Sequence, residues 1–521
     1  MARVLRDFSL RNWAAVVTTA LLLVGGCAAD TASLAASVPE PMVEQVFAIG
    51  FNRIAEVYLQ PVDMAKLGLD GLSGLRTIDP VLKVERVGGA VQIMRGSRLV
   101  GEFSAPPGDD PGAWAMVTTR AVERARQFSP PLHDATNDQL YQAVFDGVIA
   151  DLDGYSRYTT PQRAGYERGV REGYGGIGLV VDLVGDRHTV QEVTRASPAD
   201  RVGIQVGDVL ETIDGAPVAR LSAKEVQDIL RGPPGSVVKL TVQSGRGSAR
   251  HYAVHRERVI PNTVQLRVEN GIAILKVERF NAATTTNLRD AIGKAWQSLG
   301  NRPTGFVLDL RGNPGGLLDQ AVAVSSLFIR RGRIVSTAGR HPDSWQRFDA
   351  IGEDLLHERP LIVLVDGRSA SASEIVAAAL QDSGRGVVVG SSSFGKGSVQ
   401  TVTRLPNDGE LFLTWSRLYA PSGHTLHRQG VQPTICTSNV EGSADAVLTP
   451  LRTGQTESGD ALARLRQAAP EDETALARLR QVCPWHAHEP ELDIAVAERL
   501  LTVPPLYRSA LALSTTAVAE R

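Results

Sequence analysis

Predicted strands and helices alternate through the second half of the chain, and this alternation constrains the fold more than any other feature. Short apolar runs that are typical of buried strands are followed by longer stretches in which apolar residues recur with helical spacing. The strands are predicted at 272–277, 305–310, 361–366 and 386–390, and the helices at 284–299, 317–328 and 372–382. Parallel strands need long crossover connections, which helices usually supply. We therefore predict an α/β core with a mostly parallel sheet.

A smaller β-rich module precedes this core. From Gly173 to about Val254, short strand patterns are separated by glycine turns, and the one amphipathic helix, Ser222–Leu230, ends before Gly-Pro-Pro. The segment Gly175–Leu179 is rich in glycine, so its consecutive backbone amides can close on an anion such as a peptide carboxylate. For such a glycine run taken alone, a tight turn without a ligand is the alternative.

Helical patterns flank these two regions. The stretch from Met42 to about Arg163 combines helical spacing of apolar residues with a predicted hairpin at Val91–Phe103, and it carries no catalytic pattern. After Val440 the sequence is polar and has helical periodicity. We expect these flanking regions to pack or to contact partners rather than to perform chemistry.

The N-terminus has the pattern of a secretory signal. Arginines precede an apolar run from Trp13 to Val24, which is long enough for a signal peptide but short for a membrane span. The run ends in small residues before Cys27, which resembles a bacterial lipobox in which this cysteine would be lipidated. A signal peptide in which Cys27 is incidental is the alternative. We expect a periplasmic protein that contacts the membrane only through a lipid anchor.

Two further cysteines, Cys436 and Cys483, follow the signal region. An oxidising compartment favours their pairing, which would fasten the C-terminal region to the domain before it. Sequence alone does not show that they are close, so two buried thiols are the alternative.

Charge and motifs exclude several classes of function. The chain has 55 basic and 57 acidic residues, so no general attraction to nucleic acid or to anionic membranes follows. It has no His-Glu-x-x-His motif and no Walker glycine loop, and His486 and His488 beside Cys483 are a weak pattern for metal ligands. We expect neither a metal nor an organic cofactor.

Three motifs in the α/β core carry candidate chemistry. They are Leu308-Asp309-Leu310-Arg311-Gly312-Asn313-Pro314-Gly315-Gly316, Ser369-Ala370-Ser371-Ala372-Ser373-Glu374-Ile375 and Phe394-Gly395-Lys396-Gly397-Ser398-Val399-Gln400. Ser371 and Glu374 also match a capping box, which by itself indicates only a helix start. His424 and His427 are rival bases for a serine nucleophile.

Taken in this order, the three motifs resemble those of the C-terminal processing peptidases. Leu152–Tyr158 and Gly430–Pro433 extend the resemblance, which covers more than half of the chain. Within the β-rich module, Ser197–Ala199, Gly207–Leu210 and Ile213–Gly215 resemble a PDZ domain of the bacterial protease type. The resemblance implies a crotonase-like protease core with an inserted PDZ domain and a mainly helical N-terminal region.

The resemblance also implies roles for individual residues. Ser371 would be the nucleophile, Lys396 its base and Gln400 the residue that positions the base. The amides of Gly316 and Ala372 would form the oxyanion hole. A PDZ domain adds a peptide as a strand between a sheet edge and a helix, and the residues that would bind it are Gly175, Gly176, Ile177, Gly178, Leu179 and Val226.

Elementary chemistry is consistent with a serine–lysine pair. A serine hydroxyl is a weak nucleophile until a base takes its proton, and a lysine can act as that base only where burial populates its neutral amine. Lys396 therefore needs a site from which water is largely excluded.

We expect a serine endopeptidase that recognises accessible C-termini of proteins, processes or degrades cell-envelope proteins and needs no cofactor. An adaptor protein is a further candidate partner. The sequence leaves the oligomeric state open. One alternative is a non-catalytic PDZ scaffold on a degenerate protease core, and another is an acyl-CoA enzyme of the crotonase fold, which the signal peptide and the PDZ pattern disfavour. The expected divisions are a signal peptide at 1–26, a tether at 27–41, a mostly helical domain at 42–165, a PDZ domain at 166–256, a protease core at 257–436 and a helical extension at 437–521.

Overall fold

The computed structural model describes residues 40–245, 247–300, 302–438, 442–454, 457–469, 472–485 and 490–516. Residues from Glu40 onward form one compact unit. The predicted signal peptide, Cys27, most of the tether, His486 and His488 lie outside the described residues. Among the helices that the structure describes, none combines the length and apolar character needed to cross a membrane.

The N-terminal region is mainly helical, as predicted, and includes a small antiparallel sheet. The predicted hairpin is present, with Val91 opposite Phe103, and a third strand precedes it. Large side chains such as Phe47, Trp114 and Phe145 are fully buried between the helices. The first helix begins at Glu40, within the predicted tether. The elements are α1 (Glu40–Val57), α2 (Met64–Gly74), β1 (Leu82–Val87), β2 (Ala90–Arg95), β3 (Arg98–Ser104), α3 (Pro111–Phe128), α4 (Pro130–Asp134) and α5 (Asn137–Ile149).

A β-rich module follows after the short strand β4 (Arg157–Thr159) and helix α6 (Pro161–Glu172). Ser222 accepts the Glu225 amide and so caps the one amphipathic helix of the module. The elements are β5 (Tyr174–Gly176), β6 (Leu179–Val184), β7 (Arg187–Val193), α7 (Pro198–Arg201), β8 (Val209–Ile213), β9 (Ala216–Pro217), α8 (Ala223–Leu230), β10 (Val237–Gln243), β11 (Ala249–His255) and β12 (Glu257–Val259). Its main sheet has the order β11-β10-β8-β7-β6, which leaves β6 at an edge beside α8.

The α/β core contains two sheets. The elements are β13 (Val264–Glu269), β14 (Ile272–Val277), α9 (Thr284–Ser298), β15 (Gly305–Asp309), α10 (Leu318–Ser325), β16 (Arg333–Ala338), β17 (Gln346–Asp349), β18 (Leu361–Val365), α11 (Ala372–Asp382), β19 (Val387–Gly390), β20 (Ser398–Arg404), β21 (Glu410–Tyr419) and β22 (Ile435–Cys436). The first sheet has the order β13-β14-β15-β18-β19-β22 and is parallel from β14 onward, which confirms the predicted α/β class. The second sheet, β17-β16-β21-β20, is antiparallel, and β4 pairs with β21.

The first sheet is covered on both faces. Every residue of β15 and β18 is buried, as expected for parallel strands between two layers. Helices α9, α10 and α11 supply one layer. The C-terminal region supplies part of the other, where Leu448, Val496 and Leu500 pack on Val307 and Leu364 of the sheet. Its helices are α12 (Ala444–Thr453), α13 (Glu457–Gln467), α14 (Glu473–Arg480), α15 (Pro490–Thr502) and α16 (Pro504–Thr516).

Candidate active site

One cavity of about 930 Å³ contains the residues that the sequence pointed to for catalysis. It lies where the chain leaves β15 and β18 and turns into α10 and α11. The predicted nucleophile, base, positioning residue and oxyanion-hole residues all line it, and these are Ser371, Lys396, Gln400, Gly316 and Ala372. The fold therefore brings together three motifs that are far apart in the sequence.

Ser371 occupies a strained turn immediately before α11. Its φ of 57° and ψ of −113° lie in a region that residues other than glycine rarely adopt. Hydrogen bonds hold the chain on both sides: the Ala370 amide donates to the Asn313 carbonyl oxygen at 3.0 Å, and the Ser373 hydroxyl donates to the same oxygen at 2.9 Å. The strain is thus fixed by the neighbouring turn after β15, as is common where a side chain is presented for chemistry.

Lys396 lies on the loop between β19 and β20 and is half-buried. Its Nζ atom is 5.3 Å from the centroid of the Tyr155 ring, and within the described part of the chain it forms no ion pair with a carboxylate. Burial lowers the pKa of Lys396, and the positive charge of Arg157 lowers it further, while Glu374 and Asp153 oppose the shift. The surroundings therefore favour the neutral amine that a general base requires.

Glu374 is fully buried and connects the two candidate catalytic segments. Its Oε2 accepts the backbone amides of Ser371 at 2.7 Å and Lys396 at 2.9 Å. Its Oε1 accepts the Gly395 amide at 2.6 Å and the Ser393 hydroxyl at 2.5 Å. Burial raises the pKa of Glu374, and these four donors oppose that rise. One carboxylate thus fixes the backbone of both Ser371 and Lys396.

Two backbone amides near Ser371 are free to bind an oxyanion. The Gly315 amide donates to the Asn313 side chain at 2.8 Å, whereas the amides of Gly316 and Ala372 donate to no acceptor within the described residues. A Cβ on Gly315 would lie 2.9 Å from the Ser371 Cβ, and one on Gly316 would lie 2.0 Å from the Phe280 carbonyl oxygen. The backbone therefore approaches closely at both positions, and only glycine fits.

Gln400 lines the cavity but makes no direct hydrogen bond to Lys396. Its side-chain nitrogen donates to the Ser398 hydroxyl at 3.0 Å and to the Thr414 hydroxyl at 3.3 Å. The Thr414 hydroxyl in turn donates to Asp153 at 3.1 Å. Gln400 thus belongs to a polar network beside the amine, and its predicted role as a positioning residue stays a prediction.

Neither of the two rival bases, His424 and His427, lines this cavity. His427 lines a separate cavity and lies 2.8 Å from an Arg417 nitrogen. Burial lowers its pKa to about 4, with Arg417 and Arg428 adding to the effect. His424 lies 2.7 Å from the Ser422 hydroxyl and does not line the cavity of Ser371. The described residues also include no cluster of three or more histidine, cysteine or acidic side chains that could hold a metal ion.

Several residues of the site have no role predicted from the sequence. The sequence predicts only a capping box for Glu374, although an acidic residue in the otherwise apolar start of α11 indicates a buried carboxylate with donors around it. Asp153, Tyr155 and Arg157 were noted only as part of a resemblance. Helix α6 adds Arg168 and Arg171 to the cavity, where both pair with the buried Glu410 at 3.0 and 2.9 Å.

The predicted peptide-binding loop leads into the edge strand β6. Gly175 and Gly176 pair with β12, while the amides of Ile177 and Gly178 donate to no acceptor within the described residues. The side chains of Ile177, Leu179 and Val226 are buried in the core of the module. The loop therefore offers free amides at its bend, next to a strand edge and a helix.

The groove between β6 and α8 is occupied by a side chain of the module itself. With its amide oriented to satisfy both neighbours, Gln227 of α8 donates to the Leu179 carbonyl oxygen at 3.3 Å and accepts from the Val181 amide at 2.5 Å. These are backbone groups of the edge strand that an added peptide strand would use. The Gln227 side chain thus forms hydrogen bonds that the backbone of a bound peptide would otherwise form.

Cys436 and Cys483, whose pairing the sequence left open, form a disulfide. The bond joins the end of β22 to the segment that follows α14, at a sequence separation of 47 residues. It fastens the C-terminal region to the edge of the parallel sheet.

Comparison with known proteins gives matches over both domains. The model of peptidase family S41 matches residues 271–437, and a PDZ domain model matches residues 189–244. A carboxy-terminal-processing protease of Bartonella bacilliformis is 38% identical over 302 residues, which are 57% of this chain and 70% of that relative. A CtpA-like serine protease of Staphylococcus aureus is 33% identical over 307 residues, which are 58% of this chain and 60% of that relative. Among solved structures, a photosystem II D1 C-terminal processing protease is 26% identical, with a TM-score of 0.35 over 70% of this chain and 92% of that one.

Proposed function

The chain belongs to peptidase family S41 together with the carboxy-terminal-processing proteases, and on this premise we propose that this serine-type peptidase cuts peptide bonds with Ser371 as nucleophile and Lys396 as general base. One observation carries the proposal: Ser371 and a desolvated Lys396 without a carboxylate partner line the same cavity within the described part of the chain. A lysine held in this way differs from a structural lysine, which is usually solvated or paired with an acid.

The proposed reaction follows from the groups in the cavity. The neutral amine of Lys396 takes the proton of the Ser371 hydroxyl while the Ser371 Oγ attacks the scissile carbonyl carbon. The amides of Gly316 and Ala372 donate to the oxyanion of the tetrahedral intermediate. The Lys396 ammonium then protonates the departing amine of the substrate. Lys396, now neutral again, activates the water that releases the acyl group from Ser371. Gln400 and its polar neighbours orient the amine without adding a charge beside it.

The proposed substrates are proteins with accessible, apolar C-termini. The free amides at Ile177 and Gly178 would hold the terminal carboxylate, and the last residues would add to the edge of β6 as a strand. Together with the sequence pattern of a secreted lipoprotein, this mode of C-terminal binding favours processing or degradation of cell-envelope proteins by an enzyme anchored through Cys27. An adaptor protein that delivers substrates is consistent with this arrangement.

Cleavage of an unfolded reporter by single variants tests the proposed pair. Ser371→Ala and Lys396→Ala should each reduce kcat/KM by at least about a thousandfold, because members of one catalytic unit fail together. Lys294→Ala, at an exposed position on α9, is the matched control and should cleave like the wild type. The melting temperatures of all three variants should stay near that of the wild type. Substantial cleavage by either of the first two variants would contradict the assignment, and a wild type that binds C-terminal peptides without cleaving would favour the scaffold alternative.

A further inference from the structure

A segment of the C-terminal region contacts the loop that carries Lys396. We call residues 473–485, which comprise α14 and the five residues after it, the C-terminal strap. We call residues 391–397, which join β19 to β20, the base loop. The strap lies beyond residues 271–437, which the peptidase family model matches.

Arg480 makes the central contact of the strap. One guanidinium nitrogen donates to the Ser393 carbonyl oxygen of the base loop at 2.7 Å, and another donates to the Gln429 carbonyl oxygen at 2.5 Å. Within the described residues it has no carboxylate partner at ion-pairing distance. The charge of Glu374 nevertheless opposes the fall that burial causes in the pKa of Arg480. The guanidinium thus joins two loops and lies within electrostatic reach of Glu374.

Ser393 relays this contact to both candidate catalytic residues. Its hydroxyl donates to Glu374 at 2.5 Å and accepts the Val431 amide at 2.7 Å. Glu374 in turn accepts the backbone amides of Lys396 and Ser371. Three successive hydrogen bonds, through Ser393 and Glu374, therefore connect the guanidinium of Arg480 to the backbone of the base and of the nucleophile.

The residues after α14 provide further anchors. The Ser392 amide of the base loop donates to the Cys483 carbonyl oxygen at 3.0 Å. The disulfide attaches Cys483 to Cys436, which pairs with Gly390 directly before the base loop. Trp485 covers Gly367 in the turn that leads to Ser371, since a Cβ on Gly367 would lie 2.2 Å from the indole ring. The strap thus contacts both segments that supply the proposed catalytic residues.

We propose that Arg480 is a positioning residue for Lys396, and that the disulfide-anchored strap holds the base loop in its active arrangement. The inference rests on the proposed Ser371–Lys396 pair. Without Arg480, the carbonyl groups of Ser393 and Gln429 lose their donor and the base loop gains freedom to move. Misplacement of a catalytic group by about 1 Å can cost about a hundredfold in rate.

The test compares Arg480→Met with two variants of the full-length, oxidised protein. Arg480→Lys keeps the charge but loses the second guanidinium donor, and Arg478→Met removes an exposed arginine from the same helix. Hydrogen exchange of the amides of Gly395 and Lys396 is measured beside peptide cleavage. In Arg480→Met, we expect these amides to exchange at least about tenfold faster, because local opening becomes easier. We expect kcat to fall by about tenfold to a hundredfold with KM within about twofold, because positioning is lost rather than substrate binding.

The remaining variants make the outcome decisive. Arg480→Lys should lie between Arg480→Met and the wild type, and Arg478→Met should match the wild type in both measurements. If Arg480→Met does not fold, wild-type protein with a reduced disulfide and the Cys436→Ser/Cys483→Ser double variant replace it, with faster exchange of the same amides as the expected result. Unchanged exchange of Gly395 and Lys396 would overturn the inference. If the two amides exchange faster in Arg480→Met but the wild-type protein itself does not cleave the peptide, the result supports the role of the strap and contradicts the proposed function.

Discussion

The backbone at Ser371 shows what the proposed catalytic geometry costs this chain. A serine at positive φ is held in a strained conformation, which costs about 1–3 kcal/mol and persists only where neighbours determine it. Here the neighbours are the Asn313 carbonyl oxygen on one side and the Glu374 carboxylate on the other. Because Glu374 also accepts the Lys396 amide, the same buried group supports both the strained turn and the base.

The environment of Lys396 predicts the pH dependence of cleavage. Burial and Arg157 lower the pKa of Lys396 from its usual value of 10.5, so the ammonium form predominates below the lowered pKa and the neutral base above it. We therefore expect kcat/KM to rise with pH, with the midpoint of the rise below 10.5. The measurement is the pH profile of reporter cleavage. A rise that is centred on the value of a free lysine would show that the amine is solvated in the working enzyme.

Labelling of Ser371 by a fluorophosphonate provides a control for the profile. The labelling rate reports activation of the hydroxyl without substrate binding by the PDZ-like module. It should follow the same rising limb as cleavage, because both depend on the neutral amine of Lys396. If the labelling rate does not change with pH while cleavage does, then the group that titrates in the cleavage profile is not Lys396.

The main elements were predictable because their patterns are local. The buried runs that became β15 and β18 and the periodic stretches between them required no knowledge of distant contacts. The third strand of the N-terminal sheet, β1, was missed because most of its residues are solvent-exposed and its apolar pattern is weak. The predicted helix at 317–328 ends in the structure at Ser325, where the chain turns before β16.

Motifs in the sequence identify the candidate catalytic residues, but they do not show which contacts hold those residues in position. The motif serine and lysine were identifiable because their neighbours are distinctive glycine and serine runs. Gln400 is predicted to position Lys396; its side-chain nitrogen donates to Ser398 and Thr414, and the positioning role stays a prediction. The roles of Glu374 and Arg480 depend on contacts across 22 and 87 residues of sequence, respectively, and no local pattern encodes such contacts.

The groove between β6 and α8 leads to a prediction for peptide binding. Gln227 occupies backbone groups of β6 that a ligand strand would use, so a peptide has to displace it. A hydrogen bond contributes about 0.5–1.5 kcal/mol net, so Gln227→Ala should raise the affinity for an apolar C-terminal peptide by about threefold to tenfold. Fluorescence anisotropy of a labelled peptide measures this change.

An exposed neighbour on α8 provides the control for Gln227. Asp228→Ala leaves the contacts with β6 in place and should bind the peptide like the wild type. If Gln227→Ala weakens binding instead, then the side chain contacts the bound peptide rather than competing with it.

On the scale of the whole molecule, the C-terminal region completes the core of the peptidase. Strands such as β15 and β18 are buried on both faces, and the face opposite α11 is covered by α12, α15 and α16. A region that the sequence described only as a polar helical extension thus buries one side of the parallel sheet. Its polar appearance arises because each helix exposes one face and buries the other.

This coverage predicts how the molecule unfolds. Leu500 of α15 is fully buried against the sheet, so Leu500→Ala should lower the free energy of unfolding by about 2–5 kcal/mol. Because the lost contacts belong to the core, the melting curve should shift as a single transition and the proteolytic activity should be lost with it. Thr502→Ala, at an exposed position at the end of the same helix, is the control and should change stability by less than about 0.5 kcal/mol. An early separate transition in Leu500→Ala, with cleavage retained beyond it, would mean that the extension folds independently of the sheet it covers.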